Sequence, residues 1–585
     1  MNNILENHIL FYEDQIRESE QDYLTYLGTP LVQLFKSNKS HFGNITQINS
    51  KGHIILKIRK NYSPRLKIKK TFCVIRNDAW IDLGSNILHW NCECKEFLSQ
   101  SKYHTIFSDI KPLYFLKNND SAFEYLACSS IELNLFNSIS KGLIEGRTIW
   151  FIMFEELPPT QYLYNLINYT RNHQSDKNLF FTPNINYNEW NPKELTYKDD
   201  VPEIIIRTLS NKGKCIIQGP PGTGKSYTIS QIVKQYLQDN KTVCVTSMSN
   251  KGLIELASKS PLNDLRNNGK IKKTLLTSDE QKLAPGIQLA DKDLKISSGE
   301  LLCTTYYILS SKFIDGNNVD SISKYDLVII EEASQAYLTT ISAFMRLGKQ
   351  CLIVGDPMQL SPIVLNEQKS DYKHWNIETL VKGLKTFVLS SEIECFRLIT
   401  SFRLTEAAAK LTGLFYNCNL VSVQNEAVLF PLIKDKRLFP FQGGTLLYTA
   451  SGAVDSICSN SALNMIRRVV NQIQENYPER SIAIISPFKD TIQRIQSEFY
   501  LENQNFDIVV ETIDRIQGIT VDYTILYFPL RNVGFALSEN RFNVATSRSM
   551  STTLIISDMP LVGFSAISGN IAKYLERSSK LDIFN

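Results

Sequence analysis

Short apolar runs, each ended by a glycine turn or a cluster of polar residues, recur along the chain after position 195. They lie at residues 214–218, 243–246, 301–305, 326–330, 351–354, 482–485, 509–512, 523–528 and 553–557. Apolar runs of this length bounded by turns predict strands buried in a parallel sheet. After the first run, one helical face is apolar, at Ile229, Ile232, Val233, Tyr236 and Leu237. The alternation of strands and helices predicts an α/β fold from residue 195 onward.

The chain before residue 195 has a different pattern. Residues 1–42 carry apolar positions at roughly helical spacing, which predicts a helical strut. The period then changes to two, with a turn between two strand-like segments and a further segment at 65–76, which predicts a small β-barrel over residues 43–120. Residues 121–194 are mixed and partly helical, and they predict a second strut and a linker.

The predicted barrel is strongly basic. Nine lysines and arginines lie between positions 51 and 77, and no acidic residue interrupts them. Strand alternation places Arg65, Lys67 and Lys69 on one face. With Tyr62 as a ring for base stacking, this face predicts contact with single-stranded nucleic acid. The alternative is a solvated sheet face whose lysines protect an edge strand from pairing.

Composition limits the class of protein to which the chain can belong but does not identify its function. The 585 residues are 43% apolar and 21% charged, and the net charge is +4, which suits a soluble globular protein of several domains. No apolar run is long enough to span a bilayer, and the N-terminus has no secretion-signal layout. We therefore expect an intracellular, cytoplasmic protein with no membrane partner. The eleven cysteines are scattered singly, as reduced thiols would be; a metal site near Cys73, His89, Cys92, Cys94 and His104 is a weaker alternative because no CxxC pair occurs.

The segment GPPGTGKS follows the first predicted strand and precedes the first predicted helix. Its residues are Gly219, Pro220, Pro221, Gly222, Thr223, Gly224, Lys225 and Ser226. A glycine-rich loop at a helix N-terminus presents unpaired N–H groups and a positive dipole end, which together favour phosphate. In such a loop the lysine holds the outer phosphates and the hydroxyl ligates Mg²⁺. The agreement of strand, loop and helix makes a chance glycine turn a poor alternative.

Polar residues follow several of the predicted strands. They occur after the strands that end at Thr246, Thr305, Ile330 and Val354. Because the carboxyl ends of parallel strands meet at one edge, these side chains are expected to converge on one crevice. The second half of the chain repeats the strand pattern without a phosphate loop but supplies arginines. This combination predicts an ATP site between two α/β domains.

At this point the motifs GPPGTGKS, TSMSNK, CTT, EEASQ, GDPMQL, SFRL, SPF, DRIQG and RFNVATSR resemble, in order, those of superfamily 1 helicases. The likeness covers residues 195–560 and is most similar to the branch with the mRNA-surveillance helicase and the Okazaki-fragment helicase-nuclease. It implies two RecA-like P-loop domains in tandem, at 195–392 and 393–585, with a surface insertion at about 258–298. It also implies an N-terminal small β-barrel on helical struts and movement in the 5′→3′ direction.

The resemblance implies roles for single residues. Lys225 and Ser226 match the phosphate lysine and the Mg²⁺ hydroxyl, Glu331 matches a metal-linked carboxylate, and Glu332 matches the general base. Gln359 matches a γ-phosphate sensor, and Arg403 and Arg548 match arginine fingers. Tyr227, Phe402 and Gly518 are expected beside the nucleotide. The positions that resemble nucleic-acid contacts, besides Lys67 and Lys69, are Ser249, Asn250, Thr304, Thr305, Pro487, Phe488 and Thr512.

Each assignment has a structural alternative. The two glutamates could end a strand at the surface, Gln359 could be a turn residue, and the two arginines could form ordinary ion pairs. The short polar side chains could be caps of strand ends or helices. These alternatives make different demands on tertiary structure, because only the functional roles require the side chains to meet in one cleft.

The chain also departs from the family pattern. Glu331 replaces an aspartate, Phe402 replaces a tyrosine, and Thr520 replaces an acidic residue. No glutamine occurs in residues 195–201, where an adenine-reading glutamine would lie, which leaves nucleotide selectivity open.

The prediction is an ATP-dependent helicase that uses ATP and Mg²⁺ and acts on single-stranded DNA or RNA. Two rivals stay open, a translocase that displaces proteins without unwinding and a nucleotide-gated scaffold with slow hydrolysis. No nuclease constellation occurs in residues 1–190, and the sequence leaves open a recruiting protein or a partner nuclease.

Overall fold

The computed structural model describes residues 2–75, 90–100, 104, 108–118, 120–129, 131–156, 159–173, 191–276, 278–314, 324–390, 393–424, 443–453, 456–500, 508–563, 567 and 569–580. The chain divides into two compact units. The larger unit contains Met1–Arg17, Thr160–Ser451 and Ile513–Asn585, and the smaller unit contains Glu18–Pro159 and Gly452–Thr512. None of the helices within the described ranges has the length and apolar content needed to cross a membrane.

Six antiparallel strands of the smaller unit close into a barrel, in the order β1-β2-β5-β4-β3-β6. They are β1 (His41–Ile48), β2 (Ile54–Arg59), β3 (Lys70–Val74), β4 (Ser108–Leu116), β5 (Phe123–Ser129) and β6 (Ile149–Phe154). The other helices of this unit are Leu31–Lys36, Cys94–Ser99, Leu133–Ile144, Asn460–Asn476 and Lys489–Phe499. Helix Asn2–Gly28 begins in the larger unit and ends in the smaller one.

The barrel extends beyond the predicted range of 43–120. Strands β5 and β6 lie within residues 121–194, where a strut and linker were expected. Almost all of β6 is buried, because Phe151 packs inside the barrel against Phe72 while Ile152 and Phe154 join a second apolar cluster. A strand buried on both faces has a continuous apolar run and no alternation, so its period does not distinguish it from a helix.

The expected strand at 65–76 is also shorter than predicted. Only Lys70–Val74 is a strand, and Lys67 has a left-handed backbone with φ of 61°. The alternation that placed Arg65, Lys67 and Lys69 on one face is therefore wrong. A left-handed residue interrupts the regular two-residue repeat on which that argument depended.

A nine-stranded sheet forms the centre of the larger unit, in the order β11-β10-β12-β9-β13-β14-β8-β15-β7. Every adjacent pair for which a register is defined runs parallel. The strands are β7 (Lys193–Leu195), β8 (Lys214–Gln218), β9 (Val243–Ser247), β10 (Ile271–Lys273), β11 (Gln288–Leu289), β12 (Leu301–Thr305), β13 (Tyr325–Ile330), β14 (Gly348–Gly355) and β15 (Cys395–Leu398).

Two boundaries differ from the expected domains. Strand β15 lies within 393–585 but pairs with β8 and β7, so the first sheet extends beyond residue 392. Strands β10 and β11 lie in the expected surface insertion at 258–298 but extend the same sheet. These short strands were not predicted, because most residues of 258–298 lie in polar turns and loops between them.

Helices cover the first sheet, and two apolar clusters fill the space between them. The helices of the larger unit are Gln161–Asn172, Val201–Lys212, Lys225–Gln238, Asn250–Ala257, Asn263–Asn267, Ser278–Leu283, Tyr306–Leu309, Leu338–Met345, Ser370–His374, Ile377–Val381, Gly383–Ser390, Glu406–Gly413, Val533–Ala536, Glu539–Thr546 and Gly569–Glu576. Their ends have local causes: the Asp200 carboxylate accepts from the Glu203 N–H at the start of helix Val201–Lys212, and left-handed Gly213 follows its last residue.

The remaining strands are β16 (Thr400–Ser401), β17 (Val421–Ser422), β18 (Gly444–Thr449), β19 (Ile482–Ser486), β20 (Ile508–Thr512), β21 (Val521–Phe528), β22 (Ser549–Ser557) and β23 (Ser579–Lys580). In the larger unit β22 pairs in parallel with β21 and β18, and β18 pairs with β23. In the smaller unit β19 pairs in parallel with β20. These pairings give the second half of the chain the parallel strands expected of an α/β fold.

Candidate functional site

The glycine-rich loop joins the end of β8 to the first turn of helix Lys225–Gln238. Gly222 and Gly224 have φ of 75° and 78°, a left-handed conformation that glycine adopts without strain. A Cβ atom at Gly222 would lie 2.5 Å from Cβ of Arg403, so the loop also needs glycine for close packing. The Phe402 N–H donates to the Gly222 carbonyl at 2.8 Å, which holds the two segments together.

Lys225 lies folded over the loop. Its Nζ donates to the carbonyl oxygen of Gly219 at 2.5 Å and to that of Pro220 at 3.4 Å. Burial lowers the pKa of Lys225 to about 8; the positive charges of Arg403 and Arg548 act in the same direction, and Asp356 opposes them. The ammonium group is therefore held where its charge is poorly compensated.

Ser226 and Glu331 lie together at the N-terminus of the same helix. The Ser226 hydroxyl donates to Oε1 of Glu331 at 3.0 Å, while Oε2 of Glu331 is buried without a hydrogen-bond partner in the described residues. Burial, together with the adjacent Glu332, raises the pKa of Glu331 to about 8. An unpartnered carboxylate oxygen beside a hydroxyl fits Mg²⁺, which takes oxygen ligands and usually needs few from the protein.

Glu332 has an unusual backbone for its residue type. Its φ is 54°, a left-handed conformation that is uncommon for a residue other than glycine. Its Oε2 accepts from the Ser247 hydroxyl at 2.8 Å, and burial raises the pKa of its carboxyl group. Non-glycine residues in this conformation are often found at functional sites, where the surrounding structure maintains the strain.

Gln359 follows β14 and is almost fully buried. Its side-chain Nε2 donates to Oδ2 of Asp356 at 2.8 Å, and its backbone carbonyl oxygen accepts from Nδ2 of Asn540 at 2.6 Å. The amide is thus fixed in orientation by a neighbouring carboxylate.

Arg403 and Arg548 come from different segments but reach the same place. Arg403 Nη1 donates to the carbonyl oxygen of Ser547 at 3.3 Å, and Arg548 Nε donates to that of Val544 at 2.7 Å. Burial lowers the pKa of both guanidinium groups, and Arg403 lowers the pKa of Arg548 further. Both groups keep their charge, because arginine does not lose its proton in proteins.

One cleft of about 300 Å³ brings these residues together. Lys225, Ser226, Glu331, Glu332, Gln359, Arg403 and Arg548 all line it, as do Pro221, Gly222, Thr223, Gly224, Tyr227, Phe402 and Gly518. Gly219 and Pro220 are not among the lining residues and contribute their carbonyls to Lys225 instead. Tyr227 and Phe402 are 47% and 50% exposed, so each side chain is open to solvent as well as lining the cleft.

The expected nucleic-acid positions in the larger unit are less uniform. The Ser249 and Thr305 hydroxyls cap helices, and the Thr304 hydroxyl is buried against that of Thr274. Asn250 is exposed, and its Oδ1 accepts from the buried Lys273 at 2.8 Å. Of these four, Asn250 therefore has the side chain most open to a ligand.

In the smaller unit, Pro487 and Thr512 are buried and Phe488 is half-buried. Lys67 lies over the Tyr500 ring at 4.4 Å, and Lys69 Nζ lies 3.5 Å from Oδ2 of Asp109. The expected basic face of Arg65, Lys67 and Lys69 is not formed, because Arg65 instead pairs with Glu511 and the three side chains have separate partners.

The cysteine-rich neighbourhood offers no metal site within the described ranges, where no cluster of three or more His, Cys, Asp or Glu residues could hold an ion. Cys73 and Cys94 belong to an apolar cluster, and His89 lies outside the described residues.

Sequence reasoning missed several residues that build this site. Ser247 holds Glu332, and Asp356 holds Gln359. Both occupy strand ends, which was the available signal for them. Tyr416 and Asn543 also contact this region. Asn543 lies within the motif RFNVATSR but was given no role, and no local pattern marks Tyr416.

Two protein-family models, both described as an AAA domain, match residues 202–364 and 395–560. ATP-dependent helicase NAM7 of Saccharomyces cerevisiae is 22% identical over 422 residues, which cover 61% of this chain and 41% of that protein. DNA polymerase alpha-associated DNA helicase A of the same yeast is 23% identical, over 69% of each chain. DNA replication ATP-dependent helicase/nuclease dna2 of Schizosaccharomyces pombe is 25% identical, over 63% of this chain and 28% of that protein.

A solved structure of arterivirus nonstructural protein 10, a helicase in complex with DNA, is 15% identical over 61% of this chain and 63% of its own, with a TM-score of 0.33. A likeness at this TM-score gives no further information on the site of this chain.

The parallel sheet, its glycine-rich loop and the cation-lined cleft define a P-loop nucleotide-binding protein of α/β fold. Over its core region, the family models and the named relatives support a superfamily 1 helicase of the branch that includes NAM7, upf1 and dna2. The chain spans less than half of the length of NAM7.

Proposed function

We propose that this chain is an ATP-dependent helicase that moves 5′→3′ along single-stranded DNA or RNA and couples ATP hydrolysis to strand separation. The observation that supports this most strongly is the meeting of Lys225, Arg403 and Arg548 in one cleft at a helix N-terminus. Three cations that lower one another's pKa are costly to bring together. A bound triphosphate would offset that cost, because it supplies several negative charges at once.

In the proposed reaction the loop N–H groups and Lys225 bind the outer phosphates. Ser226 and Glu331 would hold Mg²⁺, which neutralises phosphate charge when bound. Glu332 accepts the proton of a water molecule as its oxygen attacks the γ-phosphorus, and the bond from that phosphorus to the bridging oxygen breaks. ADP and inorganic phosphate are the products.

Gln359 and the two arginines are proposed to act on the same γ-phosphate. The Gln359 amide lines the cleft and is held by Asp356, which places it for contact with a phosphate in the cleft. Arg403 and Arg548 stabilise the negative charge on the oxygens of the transferred group, a role that suits a planar guanidinium.

The nucleic-acid assignment rests on family membership and on the exposed Asn250 side chain. Short polar groups and backbone N–H groups bind phosphates without reading sequence. The names of the relatives include both ATP-dependent and DNA helicases, which supports a nucleic-acid strand as the substrate of movement. Lys67 and Lys69 do not belong to the proposed nucleic-acid contacts, because Lys67 lies over the Tyr500 ring and Lys69 pairs with Asp109.

ATP hydrolysis by the purified chain is expected to rise when single-stranded DNA or RNA is added. Matched DNA and RNA oligonucleotides decide which strand is preferred, and duplexes with a 5′ or a 3′ overhang decide the direction. Lys225→Ala is the control, because it removes the phosphate-binding charge. Activity of the wild type no higher than that of Lys225→Ala, with either nucleic acid, would refute the proposal. ATP-driven displacement of streptavidin without unwinding would favour the remodelling translocase.

Binding of free nucleotide in EDTA is expected to weaken as the pH rises above about 8, where Lys225 loses its proton. Below that pH the lysine is charged, so a phosphate binds without proton uptake. Above it, each pH unit lowers the affinity by up to about tenfold, since one proton must be taken up on binding. Fluorescence titration with a labelled ATP analogue measures this dependence.

Lys225→Met is the matched variant for this titration, and its weaker binding is expected to depend less on pH than that of the wild type. The remaining dependence is expected from Glu331, whose pKa is also about 8. A wild-type affinity that stays constant through pH 8 and 9 would show that Lys225 does not carry the phosphate interaction.

A further inference from the structure

Asp356 is a buried carboxylate with several donors, and it is 1% exposed. Its Oδ2 accepts from the Tyr416 hydroxyl at 2.6 Å and from Gln359 Nε2 at 2.8 Å. Its Oδ1 accepts from the Met358 N–H at 3.2 Å and from Gln218 Nε2 at 3.4 Å. Because Gln359 is bonded directly to this carboxylate, whatever fixes Asp356 also fixes the Gln359 amide.

Tyr416 connects Asp356 to a distant helix. Its hydroxyl donates to Asp356 and accepts from Nδ2 of Asn543 at 2.8 Å. The same Nδ2 donates to the carbonyl oxygen of Met358 at 2.9 Å. Both acceptors require a donor, which fixes the orientation of the Asn543 amide.

Asn543 lies in helix Glu539–Thr546, and this helix also carries Asn540, which donates to the Gln359 carbonyl at 2.6 Å. Arg548 follows the helix, and its guanidinium donates to the Val544 carbonyl and to the Ser547 hydroxyl. One short helix is therefore bonded to the segment of Gln359 at one end and to the guanidinium of Arg548 at the other.

We propose that Tyr416 and Asn543 are positioning residues for ATP hydrolysis. Through Asp356, they hold the side chains of Gln359 and Arg548 in position at the cleft. We call the three hydrogen-bonded side chains of Asn543, Tyr416 and Asp356 the Asp356 latch. The latch rests on the proposed ATPase function, and it deepens that function by assigning roles to residues that do not themselves line the cleft, as Tyr416 and Asn543 do not.

The physical reason lies in the cost of an unpaired buried group. Without the Tyr416 hydroxyl, Asp356 loses its shortest hydrogen bond and Asn543 loses one acceptor. Buried polar groups seek new partners when one is removed, and the nearest movable group is the Gln359 amide. The expected consequence is a misplaced γ-phosphate sensor and a less well fixed Arg548, with the phosphate loop unchanged.

Steady-state ATPase kinetics of Tyr416→Phe, Asn543→Ala and the double variant test the latch. Each single change is expected to lower kcat about tenfold. Tyr416→Phe removes a hydrogen bond to a carboxylate, and Asn543→Ala removes the bonds to the Tyr416 hydroxyl and the Met358 carbonyl. KM for ATP and the affinity for a fluorescent nucleotide are expected to stay within about threefold of the wild type, since Lys225 and its loop are untouched. The double variant is expected to resemble either single variant, because both break one chain.

Tyr527→Phe is the matched control. The Tyr527 hydroxyl donates to the buried Asp558 at 2.6 Å, the same distance as in the Tyr416–Asp356 pair, and neither residue lines the cleft. Loss of that hydroxyl tests the general effect of removing a buried tyrosine–aspartate bond. Its kcat is expected to equal that of the wild type, while thermal unfolding of both phenylalanine variants shifts by a similar amount.

The possible outcomes distinguish a failure of the latch from a failure of the proposed ATPase function. A wild type that hydrolyses ATP while Tyr416→Phe keeps full kcat, or loses no more than Tyr527→Phe, overturns the latch and leaves the ATPase proposal standing. Full multiplication of the two single effects in the double variant also overturns it, because independent residues add in free energy. A wild type without ATPase activity refutes the proposed function and the latch with it.

Discussion

Arg403→Ala is expected to lower the nucleic-acid-stimulated kcat for ATP by about 10³ to 10⁵, the range for an arginine that stabilises charge in phosphoryl transfer. The structure supports a large effect because Arg403 lines the cleft with Lys225 and is half-buried there. The change leaves the Cβ atom in place, so its close packing against Gly222 is retained. The loss should therefore appear in kcat and far less in nucleotide affinity.

Arg403→Lys makes this experiment sharper. Lysine keeps the charge and loses the planar fork, so an intermediate rate is expected if geometry matters as well as charge. Lys410→Ala serves as the surface control, since Lys410 forms an exposed pair with Glu406 in the same unit. Arg403→Ala activity within tenfold of the wild type would exclude a role in the transition state.

Glu332→Gln is expected to lower kcat by about 10² to 10⁴, the usual contribution of a general base. The amide keeps the size of the side chain and can still accept from the Ser247 hydroxyl, so the left-handed turn at Glu332 is expected to survive. It cannot accept a proton from water. Labelled ATP should bind as in the wild type and remain unhydrolysed in single-turnover reactions.

The pH dependence supplies a second signature of Glu332. Burial raises the pKa of this carboxyl group, so kcat is expected to fall as the pH drops and the base becomes protonated. Glu300→Gln is the matched control, because Glu300 is also a partly buried carboxylate but pairs with Lys272 outside the cleft. A rate for Glu332→Gln close to that of Glu300→Gln would assign the base to another residue.

Local pattern was sufficient for the strands β8, β9, β12, β13 and β14 of the central sheet. Strand β8, the glycine-rich loop and helix Lys225–Gln238 follow from an apolar run, a glycine turn and an apolar helical face. The same reasoning failed at β6, where burial on both faces removes the alternation, and at Lys67, where a left-handed residue changes the register. Both errors arise because the period of a pattern depends on what the side chains pack against.

The roles given to Lys225, Glu332 and the other cleft residues stay predictions until they are tested. Their meeting in one cleft is a geometric fact of the larger unit, and convergence at the carboxyl edge of a parallel sheet had predicted it for the residues that follow strands. Arg403 and Arg548 were assigned only through family resemblance, since no local spacing relates them to the loop.

By itself the sequence determined the strands and helices around the phosphate loop, the edge of the sheet where polar groups gather, and the family. These features depend on residues that are neighbours in the sequence, because local steric preferences and the spacing of apolar residues determine them. Tertiary structure alone decided that Asp356 would hold Gln359 and accept from Tyr416, with Asn543 behind it. Such contacts join residues far apart in the chain, and their energies depend on burial that exists only once the chain has folded.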